Sequence, residues 1–151
     1  MAARGGLFYN AGKPLSFRPD KERRGAPVPF KALLGELISS VEGAESAIIM
    51  DASGEAVQWI GSGDGERLRL RAAYVALVFQ HCKAAARNLE LGRITHLAIE
   101  YDGASFIIEE IGGDYLIALE LNYSANVPEA LENIKPVLAK IARAVSMDEY
   151  Q

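Results

Sequence analysis

Three arginines crowd the opening of one long helical segment, Arg67, Arg69 and Arg71 in the run Glu66-Arg67-Leu68-Arg69-Leu70-Arg71. A guanidinium that reaches a nucleotide phosphate stabilises charge as it develops in phosphoryl transfer. Arg67 and Arg71 share a side of the segment beside Tyr74 and Val78, whereas Arg69 lies elsewhere. The competing reading is structural, because arginines near an acid such as Glu66 form exposed ion pairs of small worth. The preceding Gly61-Ser62-Gly63-Asp64-Gly65 joins a strand to this helix, where free backbone N–H groups can cradle phosphate. Asp64 and Glu66 stand at its mouth and repel an anion, and no Gly-Lys-Ser/Thr follows. Capping of the helix by Asp64 accounts for the same residues.

The remaining reactive side chains do not assemble into a catalytic set. Glu100, Asp102, Glu109, Glu110, Asp114 and Glu120 fall at turns and alternating strand sites, which reads as an exposed acidic surface. Cys82 is the single cysteine and lies on an apolar helical stripe, as a small core hydrophobe does. With only His81 and His96 as histidines, a structural zinc site is hard to build. No catalytic residue, metal or cofactor is therefore expected, and the chemistry points to recognition.

Composition sets the frame. The chain has 151 residues, half of them hydrophobic, and a net charge of −4, as expected of one soluble globular domain. Residues 1–28 carry six cations against Asp20 and Glu22, a net of +4 that leaves −8 for the rest. An acidic domain argues against clasping nucleic acid, which needs clustered Lys and Arg. Residues 1–27 hold Pro14, Pro19 and Pro27 with no lasting periodicity, and read as a flexible basic extension. The domain is expected over 28–147, followed by a disordered 148–151. The longest apolar run, Ala72 to Phe79, is too short to span a bilayer, and a cytoplasmic location is expected.

The elements that must position these groups can be read from periodicity. Pro29 opens a helix whose Phe30, Leu33, Leu34, Leu37, Ile38 and Val41 form one stripe, with Gly43 as its stop. Ser46 to Asp51 reads as an interior strand, Asp51-Ala52-Ser53-Gly54 as a turn, and Glu55 to Ile60 as its hairpin partner with Val57 and Trp59 on one face. After the long helix, Leu91-Gly92 marks an end. Strands are predicted over Ile94–Tyr101, Ala104–Ile111 and Tyr115–Leu121. Asn126-Val127-Pro128-Glu129 caps a last helix with the stripe Leu131, Ile134, Val137, Leu138, Ile141 and Val145.

The middle helix, Glu66 to Glu90, differs from the other two in having two apolar faces. Leu68, Ala72, Val75, Phe79, Cys82 and Ala86 form the core stripe, while Leu70, Ala73, Tyr74, Leu77 and Ala84 lie opposite, at the spacing of a helix-helix seam. Burial of the second face within the same chain is the alternative. The single-faced helices are instead both needed on the far side of the sheet, which favours self-association.

The element order, Val41-Glu42-Gly43-Ala44 before the first strand, the Asp51-Ala52-Ser53-Gly54 hairpin, Leu91-Gly92 and the closing Tyr115-Leu116-Ile117-Ala118-Leu119 resemble the roadblock (dynein light-chain) family over about residues 29–146. The resemblance implies an α/β (α+β) three-layer sandwich. In it a five-stranded antiparallel sheet has the first and last helices on one face and the long middle helix on the other. It also implies a homodimer built from paired middle helices and third strands, here Leu70, Ala73, Tyr74, Leu77, Ala84, Ile94, His96 and Ala98. Family members act as scaffolds or regulators of Ras-like small GTPases, so a non-enzymatic regulator that modulates the GTP cycle of such a partner is expected. By geometry, Arg67, Arg71, Val78 and His81 are the residues to contact it. A small-molecule-sensing or general protein-interaction module is the alternative, and the former predicts a void among residues such as Phe79, Phe106 and Tyr115.

Overall fold

The computed structural model describes residues 30–112 and 114–149, with the side chains of 148 and 149 excepted. The basic extension 1–27 and Pro29 lie outside the described residues. The elements are α1 (Phe30–Ser39), β1 (Ala44–Asp51), β2 (Ala56–Gly61), α2 (Gly65–Asn88), β3 (Leu97–Glu100), β4 (Ala104–Gly112), β5 (Tyr115–Asn122), α3 (Val127–Asn133) and α4 (Lys135–Glu149). All strand pairs are antiparallel, in the order β2-β1-β5-β4-β3.

Alternation along the central strands splits the interior into two cores. Ala47 and Ile49 of β1, Ile107 of β4 and Ile117, Leu119 and Leu121 of β5 pack against Phe30, Leu34 and Leu37 of α1 and Ile134, Ile141 and Val145 of the C-terminal helices. Ile48, Met50, Phe106, Ile108, Leu116 and Ala118 turn the other way and meet Leu68, Ala72, Val75 and Phe79 of α2. Strands buried on both faces read as unbroken apolar runs, which is why Ser46–Asp51 is continuously hydrophobic at its centre. The expected three-layer sandwich is the observed one.

Four details differ from the sequence reading. α1 stops at Ser39 rather than running to Gly43, and the Ser40 hydroxyl donates back to the Leu37 carbonyl at 2.7 Å. Gly43 instead takes φ +89 where a Cβ would lie 2.9 Å from Ala125, so it serves a close chain crossing. In β2, Val57 is an extra residue: Ala56 pairs with Met50 and Gln58 with Ile49. This bulge breaks the period of two, so Val57 joins the α1 core while Trp59 packs on the α2 side, not together on one face. The last helix is interrupted at Ile134, just before Pro136, which withholds its N–H and restrains Lys135. Finally, α4 continues to Glu149, so residues 148 and 149 are helical rather than disordered.

Candidate interaction surface

α2 begins where Asp64 caps it, its carboxylate accepting the Glu66 N–H at 2.9 Å. The glycine loop before it therefore starts a helix, and the Asp64 carboxylate already takes a backbone N–H that a bound anion would use. A cavity of about 300 Å³ does lie there, between Lys31, Trp59, Asp64 and Leu68. Arg69 covers the Trp59 ring, 4.9 Å from its centroid, and pairs with Glu66.

The far side of α2 is apolar and open. Leu70, Tyr74, Leu77 and Val78 are 39%, 54%, 42% and 44% exposed, large values for hydrophobic side chains brought together on one helix. Ala84 is half-buried beside them. Ala73, expected in the same seam, is only 4% exposed because Gly54 of the β1–β2 turn sits on it: a Cβ on Gly54 would lie 3.5 Å from the Ala73 Cα. Gln80 fastens the same turn by donating to the Ala52 carbonyl at 3.5 Å. The seam is thus narrower than its periodicity suggests. Cys82 is half-buried rather than in the core, while Ala76 is buried in its stead.

The third strand contributes an edge. β3 is four residues long, shorter than the predicted Ile94–Tyr101, and among the described residues it pairs only with β4. Its outer N–H and C=O groups have no neighbouring strand among the described residues. Leu97 and Ile99 pack toward α2, His96 and Ala98 are exposed, and Ile94 is half-buried in the loop before the strand, against the α2 core. Tyr101 ends the strand edge-to-face on Phe106, with ring centroids 6.3 Å apart.

Of the partner-contact candidates, Arg67, Val78 and His81 are exposed. Arg71 is half-exposed and paired. Its Nε donates to Glu120 Oε2 at 2.9 Å and its Nη2 to Oε1 at 3.0 Å. Glu120, read as part of an exposed acidic surface, is buried on the α2 side of β5, so the fork of Arg71 is required to satisfy it. Lys83 similarly donates to Glu110 at 2.5 Å, with Arg93 3.9 Å away.

Phe79 and Phe106 are fully buried in the α2 core, and Tyr115 packs against the opposite core. The sheet separates them, so the void required by the ligand-sensing reading does not exist among these three residues.

Sequence reasoning missed Glu55. It is 5% exposed, and its Oε2 has no hydrogen-bond partner among the described residues. Burial, followed by the charge of Asp51, pushes its carboxyl from 4.5 up to about 7, against the opposing pull of Arg69. A charged residue directly after a turn glycine reads as solvent-exposed, and no local signal marks its burial.

The described residues form a five-stranded antiparallel sheet between two helical layers, with one helix carrying an exposed apolar stripe. The chain belongs to the Roadblock/LC7 domain family, whose model matches residues 31–120. Three solved structures share the fold. A Roadblock/LC7 domain from Streptomyces avermitilis is 17% identical with a TM-score of 0.68, covering 77% of this chain and 96% of that one. MglB in a tetrameric arrangement is 18% identical with a TM-score of 0.72, over 87% and 99% of the two chains. The gliding protein MglB from Thermus thermophilus is 19% identical with a TM-score of 0.69, over 78% and 88%. No curated protein sequence matches the chain. No described helix is long and apolar enough to cross a membrane.

Proposed function

We infer that the protein is a homodimeric regulator of a Ras-like small GTPase, without chemistry of its own. The observation that carries this reading is the exposed Leu70, Tyr74, Leu77 and Val78 stripe on α2, on a domain whose other helices bury their apolar faces. Two copies meet through these stripes and through their β3 edges, which removes the apolar patch and the unpaired strand from water together. Membership of the roadblock family supports this assembly, as does the tetrameric arrangement of a structural relative. Arg67 and Val78, on the flank of the stripe away from Ala84, and His81, one turn beyond Leu77, then contact the GTPase. A guanidinium held there by the dimer modulates its GTP cycle through the nucleotide phosphates.

The test is co-purification with the small GTPases of the source organism, followed by GTP turnover with and without the purified chain. Stable binding that changes turnover supports the reading. A dimer that neither binds nor affects any of them removes the GTPase and leaves the assembly.

A further inference from the structure

The charge of the domain is concentrated in an unexpected way. Residues 65–93 carry six cations against Glu66 and Glu90, a net of +4, whereas residues 30–64 and 94–151 carry four cations against sixteen carboxylates, a net of −12. Arg69 and Arg71 are occupied by Glu66 and Glu120. Three of the others, Lys83, Arg87 and Arg93, line one cleft of about 520 Å³ between the C-terminal end of α2 and the loop to β3, completed by Glu90, Gly92 and Ile94; Lys83 and Arg93 share Glu110, at 2.5 and 3.9 Å.

The backbone here is forced. Glu90 takes φ 55, the left-handed region that side chains avoid, and the Leu91 N–H donates to the Ala86 carbonyl at 2.9 Å while the Glu90 N–H donates to the Arg87 carbonyl. This is a Schellman end normally made with glycine. It turns Leu89 and Leu91 outward, 67% and 73% exposed. Non-glycine residues held in this conformation persist where the surroundings over-determine them.

We propose that this cleft binds an acidic peptide segment of a partner protein, in which carboxylates alternate with aliphatic side chains. Arg87 and Arg93 present guanidinium forks suited to carboxylates. Ile94 supplies an apolar contact beside them, and the exposed Leu89 and Leu91 are its near neighbours in sequence. Glu110, already held by Lys83, and Glu90 lie at the same cleft and disfavour a dense polyanion, while carboxylates spaced by aliphatic side chains can avoid them. The site does not depend on the GTPase reading: at about 100° per residue, Arg87 lies roughly 120° round the helix from the middle of the Leu70–Tyr74–Leu77–Val78 stripe.

The probe is a fluorescein-labelled Glu-Leu-Glu-Glu-Leu-Glu peptide, titrated with the full chain and followed by anisotropy. Saturable binding is expected, weakened at least about tenfold by Arg87→Glu combined with Arg93→Glu and unchanged by the same charge reversal at the exposed Arg143 of α4, Arg143→Glu. Amide chemical shifts of the unmodified chain, which need no variant, are expected to move at 87–94. Absence of saturable binding, equal binding by the double variant, equal binding of a peptide with lysine in place of glutamate, full displacement by duplex DNA, or shifts confined to the Leu70–Leu77 face would each overturn the proposal.

Discussion

Arg71 and Glu120, 49 positions apart in sequence, are joined by two parallel hydrogen bonds that tie the outer flank of α2 to the central strand β5. The pair separates two arginines that look equivalent in sequence. Arg71→Ala leaves a buried carboxylate without its partner and is expected to cost about 2 kcal/mol, read by urea unfolding. The half-exposed guanidinium keeps the figure from being larger. Arg67→Ala is expected to change stability by less than about 0.5 kcal/mol and to reduce the effect on GTP turnover. Reversal of these two outcomes would exchange the roles assigned to them.

Leu77 sits at the centre of the exposed stripe. Leu77→Glu is expected to give a folded monomer, because a charge placed in a helix seam must be desolvated on association while the free chain keeps it in water. Light scattering reads the mass and circular dichroism the fold. A dimer of unchanged affinity would place the contact elsewhere.

Glu55 makes stability depend on pH with a definite sign. Its carboxyl is raised from 4.5 to about 7 in the folded chain, so the unfolded chain releases the proton first. Stability from this group is fully present below pH 4.5, falls as pH rises and is lost above about pH 7. Glu109, raised by burial against the pull of Lys135, adds a change of the same sign. Glu55→Gln is expected to stabilise the protein at pH 8 and leave it nearly unchanged at pH 4. Parallel curves for the two proteins would show that Glu55 titrates normally.

At the end of α2, Glu90→Gly is expected to raise stability by about 0.5–1 kcal/mol, since glycine adopts φ 55 without strain. Thermal melts of the two chains provide the comparison. A lower melting temperature would mean that the glutamate side chain contributes more than its backbone costs.

The layers were legible because periodicity reports which way a side chain points: the double-sided burial of Ile48 and Ile49 and the open stripe of Leu70 and Leu77 both follow from it. It fails where the chain departs from regular geometry. The bulge at Val57 inverts the facing of Trp59, and Pro136 divides a stripe that reads as continuous. It also says nothing of tertiary partners. Arg71 and Glu120, Gly54 over Ala73, and the covered Glu55 are each decided by residues distant in sequence. The candidate surface was thus visible in its apolar half and misread in its charged half.

The uneven distribution of charge between α2 with its following loop and the rest of the domain gives the molecule an electric dipole. A dipole in the field of a charged surface experiences a torque before any contact forms, so the domain turns its cationic side toward negative surfaces as it diffuses. With a screening length of about 8 Å at physiological salt, shorter than the domain is wide, this alignment acts only over the last steps of approach. Salt would then set how often an encounter begins in a usable orientation, while the stripe and the cleft decide how long it lasts.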